Sequence, residues 1–321
     1  MRKTIQLAAF VTLIGAANGF AQTGGYPNKP IRWVIPFAPG GGTDMVARPI
    51  AAKLTDRLGQ QILYDNRGGG GGVIAGEIVA NANPDGYTLL VAAVAVMTVN
   101  VSLMKLPFDP IKDFAPITKF ANVPNMLASR AAFSAVKVQD VIGYAKANPG
   151  KLRWALSGTG SAGTLSMELL RLNTKIDIVP IPYKGAGPAM IGMLSGEADV
   201  MFANPAVFMP HIVGGRLRAL GTASMQRMAA LPDMPTFHES GFPNFESQSW
   251  YGLAAPARTP PAVIALLHRE TAAMLKQPDV LARIAAEGGI AVGNTPQQFA
   301  QEIRSEIAKW AKVIKDANIK M

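Results

Sequence analysis

The chain has 321 residues, no cysteine, three histidines, and 31 Lys and Arg against 21 Asp and Glu. The missing cysteines exclude disulfides, thiolate metal sites and a Cys nucleophile. The formal charge of +10 gives a basic surface that attracts anions, but the basic residues are scattered and no motif with interleaved aromatics accompanies them, so nucleic acid is not an expected partner.

Met1-Arg2-Lys3 is basic and Ile5 to Ala17 is apolar but short for a bilayer, with small residues at Gly19 and Ala21. That pattern predicts a secretory signal, residues 1–21, cleaved after Ala21. Every later apolar run is broken by Gly, Pro, Asn or charge, so the exported part is expected to be soluble.

Apolar strand-like runs then alternate with helical patterns, which predicts α/β layers with mainly parallel sheets. The first strand is Ile31 to Ile35, and a glycine-rich turn through Gly40, Gly41 and Gly42 leads into a helix ending near Leu58. Val46, Ile50, Leu54 and Leu58 form its apolar face, Gly59 is placed as its C-terminal cap, and Pro49 sits near the end of its first turn, where it can kink it. A strand over Gln61 to Tyr64, five glycines from Gly68 to Gly72, a helix through Ala80 and the turn Asn83-Pro84-Asp85-Gly86 lead to a strand over Tyr87 to Ala92.

The middle of the chain repeats the scheme: strand Leu152 to Leu156, loop Ser157 to Gly163, helix Thr164 to Leu172, strand Ile176 to Pro182. The last part reads as helices over about Pro260 to Lys276 and Pro296 to Ala317, with Thr259 and Thr295 as N-caps and Gln298 completing a capping box. The length exceeds a usual single domain, so two lobes are expected. Residues 22–126 begin the first, 127–248 form the second, and 249–321 return to the first, which gives two crossings and a hinge.

Two strand-to-helix junctions stand out, Pro39-Gly40-Gly41-Gly42-Thr43 and Ser157-Gly158-Thr159-Gly160-Ser161. Each places backbone N–H groups at a helix start, an anion site that needs no Arg or Lys. Facing each other across a cleft, they can hold a carboxylate; the plainer reading of either one alone is a glycine turn. Gly158 to Gly163 also matches G-x-G-x-x-G, but the acidic residue that holds a ribose belongs at the end of the next strand, and Asp177 stands at its start. No phosphate-binding loop with Lys and no H-E-x-x-H occurs, and His211, His238 and His268 are isolated, so neither cofactor nor metal is expected. Ser161 lacks the glycine two residues ahead that a nucleophile elbow needs, and reads as a helix cap or ligand contact. Asp44 reads as a complement to the helix dipole.

Pro36 to Arg48, Asp65 to Gly72, Ala82 to Leu90, Leu106 to Ile117, Val179 to Gly185 and Trp250 to Pro256, in this order, resemble the Bug-type solute receptors of tripartite tricarboxylate transporters. The resemblance runs essentially end to end. It implies a two-lobed periplasmic binding protein fold, type II-like, with the ligand cleft between the lobes. It also implies a non-enzymatic periplasmic receptor that delivers a small carboxylate, held largely by backbone amides and water, to membrane permease subunits; a monomer is the expectation, and the sequence leaves the oligomeric state open. Carried across, Phe37, Pro39, Gly40 and Gly41 form the first wall, with Phe37 on the ligand body, and Asn66 and Ala93 join them. Ser157, Thr159, Gly160 and Ser161 clamp a carboxylate from the second lobe, with Thr164 behind them. Lys184 and Asp199 are candidates for site or hinge contacts, with a structural role as the alternative for each. The chain departs from the family where Thr164 replaces a common His, where Gly163 replaces a hydroxyl residue, and where five glycines follow Arg67. Two rival readings keep the sequence in view: a ligand sensor on the same fold, and an exported hydrolase using Ser161 with His211 or His238.

Overall fold

The computed structural model describes residues 25–37, 39–158, 160–228, 230–286, 288–316 and 319. The expected export signal, its cleavage point after Ala21, Ala38 and the clamp residue Thr159 lie outside the described residues.

The first lobe begins with β1 (Ile31–Ile35), α1 (Gly42–Leu58), β2 (Ile62–Asn66), α2 (Val73–Ala80), β3 (Thr88–Ala93) and, after one wide helical turn at Ala95–Val99, the short α3 (Asn100–Leu103). Next, β4 (Phe114–Pro124) leads to the second lobe: β5 (Met126–Arg130), α4 (Val138–Ala147), β6 (Leu152–Leu156), α5 (Ala162–Thr174), β7 (Ile178–Pro182), α6 (Ala186–Ser195), β8 (Val200–Ala203), α7 (Pro205–Val213) and β9 (Leu217–Thr222). The chain returns along β10 (Gln248–Pro256) and ends in α8 (Pro261–Met274), α9 (Pro278–Ala286), β11 (Ile290–Ala291) and α10 (Pro296–Asp316), which pack on the first lobe.

Each lobe has its own sheet, six-stranded in the order β11-β4-β10-β3-β1-β2 and five-stranded in the order β7-β6-β8-β5-β9. Both are covered on two faces, which is why their strands read as continuous apolar runs rather than alternating ones. Along β1, Ile31, Trp33 and Ile35 pack with α1, α8 and α9, while Val34 between them packs with α2 and α10. Trp33 stacks on Phe120 of β4 with ring centroids 5.6 Å apart. In the second lobe Trp154 and Phe202 anchor one face, and Ala155 and Met201 the other.

The sheets are mixed rather than mainly parallel: four strand pairs are parallel and five antiparallel. The crossings supply the reason. The parallel strands β1, β2, β3 and β6, β7, β8 end at the edge where the lobes face each other, and β5 and β10 each start there after a crossing. They therefore run against the neighbours they pair with.

Locally, α1 runs as one helix through Pro49, buries Val46, Ile50 and Leu54, and ends where Gly59, with φ 65°, donates its N–H to Thr55 O at 3.0 Å. Thr295 and Gln298 form the expected capping box, each accepting the other's backbone N–H at 3.2 and 2.9 Å. Thr259 does not cap: its hydroxyl is buried without a partner, because the second proline, Pro261, starts α8 one residue later than expected. A helix between the two expected at the end, α9, supplies Val280 and Ile284 to the core.

The crossings meet in a buried polar knot. Asn125 donates its N–H to Ser247 O at 3.1 Å, Ser247 N–H reaches Ala223 O at 3.0 Å, and Ala223 N–H reaches Asn125 O at 2.8 Å. Asn125 Nδ2 donates to Ser166 Oγ of α5 at 2.9 Å, the Ser166 hydroxyl lies 2.8 Å from Ala162 O, and Ser166 Oγ and Ser247 Oγ share a hydrogen bond at 2.8 Å. All three side chains are excluded from solvent, so each bond compensates a group that burial would otherwise penalise.

Candidate functional site

Strand order fixes where chemistry can happen. In open α/β sheets the loops beyond the carboxyl ends of parallel strands form the ligand crevice. Here two such edges face each other, and five helices, α1, α2, α5, α6 and α7, begin there directly after β1, β2, β6, β7 and β8. Their first-turn N–H groups lack intrahelical partners and carry the positive end of the helix dipole.

On the first lobe, Phe37 is half-buried against the core, whereas Pro39 and Gly40 are exposed. Asp44 organises this loop from beneath. Its buried carboxylate accepts the Gly40 N–H at 3.0 Å, Arg48 Nε at 2.8 Å and Asn66 Nδ2 at 3.4 Å. Burial opposes the Asp44 charge, but the hydrogen bonds from Arg48, Gly40 and Asn66 outweigh it and hold the carboxyl below the usual range. Asn66 Nδ2 also donates to Phe37 O at 2.9 Å. The Gly40 amide and the Asn66 amide nitrogen are thus spent on the loop itself, and the amides of the first α1 turn, from Gly42 on, remain for an anion. Ala93 ends β3, buried, opposite Tyr251 of β10.

On the second lobe, the Ser157 hydroxyl donates to Ser161 Oγ at 3.1 Å, and Ser161 caps α5 by accepting the Thr164 N–H at 3.2 Å. The Thr164 hydroxyl gives its proton to Gly158 O at 2.9 Å, so across the 3.0 Å Ser161–Thr164 contact Ser161 must be the donor. Among the described residues of this cluster, Ser157, Ser161 and Thr164, each hydroxyl proton serves the loop. Gly160 is buried against the first lobe, beside Asn100, Leu103 and Val99. Gly163 lets α5 approach β8: a Cβ there would stand 2.2 Å from Phe202 O.

Lys184 is exposed at the same edge, next to Tyr183, whose N–H donates to Leu156 O at 2.9 Å. Asp199 lies at the opposite edge of the second sheet. There it accepts Arg130 Nε at 2.9 Å and a Arg153 fork at 2.6 and 3.0 Å, a structural network remote from the crevice.

Two residues that the sequence analysis did not place in the site complete the crevice. Tyr251 of β10 donates its hydroxyl to Asn204 Oδ1 at 2.7 Å, linking the lobes across the α1 N-terminus. Asn204, the N-cap of α7, also reaches Val123 O through Nδ2 at 3.5 Å. The Asn204-Pro205 pair is an N-cap followed by proline, a pattern that marks the helix start. Tyr251 lies in the Trp250 to Pro256 stretch that carries the family resemblance, but no local pattern singles out its hydroxyl.

The rival chemistries lack their geometry. His211 pairs with Arg216 at 2.6 Å, His238 accepts the Asn244 N–H at 3.3 Å, and Ser161 pairs with hydroxyls rather than with either imidazole. Asp177 precedes β7 at the edge away from Gly158, so the acidic residue of a dinucleotide site is out of place.

Known proteins share this arrangement. The profile of the family described as "Tripartite tricarboxylate transporter family receptor" matches residues 46–319. Protein BugT of Bordetella pertussis is 37% identical over 318 residues, covering 98% of this chain and 97% of that protein. Among solved structures, R. palustris Rpa4515 with adipate is 34% identical with a TM-score of 0.89, covering 92% of this chain and 99% of that one. MatC from Rhodopseudomonas palustris with bound malate is 34% identical with a TM-score of 0.84, covering 90% and 100%.

Proposed function

We propose, because the chain belongs to the tripartite tricarboxylate transporter receptor family, that it is a periplasmic receptor which closes its two lobes on a small carboxylate and passes it to membrane permease subunits. The observation that carries this reading is the convergence of five helix N-termini on one interlobe edge, where the buried acid in the first turn of α1, Asp44, is already neutralised by Arg48. Such an edge favours anions through backbone amides alone. The solved relatives with adipate and malate lend the ligand class its support.

Each part of the loops has a task. Asp44 and Asn66 fix the first wall, the Ser157, Ser161 and Thr164 hydroxyls fix the second, and the amides left over face the ligand. Binding needs no covalent step. Carboxylate charge draws the two positive walls together, and Tyr251 meets Asn204 as they close. One chain carries both walls, so a monomer suffices.

A thermal-shift series tests this. The protein is melted with mono-, di- and tricarboxylates and with the neutral amide of each acid that acts. A ligand at a hundredfold excess over Kd adds about 2.7 kcal/mol of stability. Acids that raise the melting temperature while their amides do not support the reading; a response to sugars, phosphates or nucleotides without any acid overturns it.

A further inference from the structure

α6 and α7 lie side by side on one face of the second sheet, where Met190, Met193 and Phe208 pack with Ala155 and Met201. Among the described helices of eight residues or more, these two alone carry no Lys, Arg, Asp or Glu. A helix that is apolar all round belongs in an interior. Here only the inner sides are covered. On the outer sides Pro188, Ile191 and Leu194 of α6 and Pro210 and Val213 of α7 face solvent, with Ile191 68% and Val213 83% exposed. The outer side of α10 carries Arg304, Lys312 and Lys315 instead, as a water-facing helix does. An exposed apolar patch with a polar rim marks a place where another molecule sits.

Charge at the rim narrows the choice of molecule. Lys184 stands exposed just ahead of α6, and Arg216 stands exposed just beyond α7, its guanidinium 2.6 Å from His211 Nδ1. The acids near the far end of α6 are already answered, Asp199 by Arg130 and Arg153, and Glu197 by Arg153 beside it. The charge left over at the two ends of the patch is positive. A second copy of this chain, with its formal charge of +10, would set Lys184 and Arg216 against cations of their own kind, which like-charge repulsion disfavours. A partner with carboxylates around an apolar centre is complementary.

We infer that the α6–α7 face is the surface by which the receptor docks on its permease, and that it meets there a periplasmic surface with an apolar centre and an acidic rim. This rests on the transport reading above. Both helices begin at the crevice edge, so a partner held on this face is tied to the same lobe that carries the clamp loop.

The test uses source cells that lack the native gene and carry it back in altered form, with uptake measured for an acid that the thermal-shift series identifies. Ile191→Glu and Val213→Gln change only water-facing side chains, so the melting temperature and its response to the acid are expected to match the unaltered protein. Uptake is expected to fall about tenfold or more in the double variant, since a charge placed in the apolar centre has no partner there. Arg216→Glu is expected to lower uptake as well, and Arg216→Lys to keep it. Full uptake in the double variant overturns the inference. A double variant that no longer responds to the acid also overturns it, because the face then serves the ligand. So does sedimentation that shows the unaltered protein as a dimer and the double variant as a monomer, because the occupant is then a second copy. Uptake that does not need the gene, or failure of every acid to bind, is a different result: it removes the transport reading itself, and this inference with it.

Discussion

Tyr251 and Asn204 come from different lobes, and their 2.7 Å hydrogen bond passes directly over the first turn of α1, where a Cβ on Gly42 would stand 2.5 Å from both oxygens. The bond exists only while the lobes touch, so it adds to the closed state alone. Tyr251→Phe keeps the ring and removes the bond, at about 1 kcal/mol, or roughly fivefold faster ligand dissociation with little change in association. Stopped-flow displacement reads both rates, and an unchanged dissociation rate would show that closure does not use this bond.

Gly163 fits the α5 start against β8 with nothing to spare, since a Cβ would meet the backbone oxygen of Phe202 at 2.2 Å. A backbone atom cannot swing aside as a flexible side chain can. Gly163→Ala is expected to destabilise the protein by about 1–3 kcal/mol in urea unfolding, despite the better helix propensity of alanine. Unchanged stability would mean that α5 slides outward at little cost.

Ser161→Ala removes the N-cap of α5 and the hydrogen bond that Ser161 gives Thr164. The expected loss is about 1 kcal/mol of stability, together with weaker ligand binding, because the clamp loop loses its internal ties. Ser161→Thr restores the hydroxyl and should recover both in denaturation and calorimetry. A variant that folds as stably as the parent but loses all binding would instead make Ser161 a direct ligand contact.

Asp199 gives a separable control. Burial opposes its charge, but hydrogen bonds from Arg153 and Arg130 outweigh this and hold its pKa below the usual carboxylate value. A depressed folded-state pKa contributes stability above the unfolded value near 4, lost as pH falls through the folded value. Asp199→Asn should therefore cost about 3 kcal/mol at pH 7 and flatten the acid limb of stability below about pH 4. Ligand affinity should stay the same, since the network lies at the far edge of its sheet; a large affinity change would tie Asp199 to the site or the hinge.

Much of the framework was legible because it is local. Glycines at Gly40 to Gly42 and Gly158 to Gly160 announced the strand-to-helix turns, and the spacing of Val46, Ile50 and Leu54 announced the buried face of α1. Thr295 and Gln298 announced their own capping box. What stayed hidden is set by the partner across the gap. Tyr251 reads as one more residue in an apolar strand, and only the return of β10 along the crevice edge brings it to Asn204. Asn100 follows a buried run without any turn signal, and its contacts are with glycines 29 and 60 positions away. The antiparallel pairs were missed for a similar reason: strand direction follows from the crossings at Asn125 and Ser247, not from the strands' composition.

The polar knot at the crossings also sets the reach of the receptor's grip. Ser166 touches the pivot and Ser161 heads the clamp on the same helix, five residues and about 7.5 Å apart. α5 is thus a short lever with its fulcrum in the hinge, and each degree of rotation there carries the clamp loop about 0.13 Å for that arm. A swing of about 20° moves it about 2.6 Å, roughly one hydrogen-bond length. For the receptor proposed above, release then asks only for a small turn of a stiff arm rather than the unfolding of a lid.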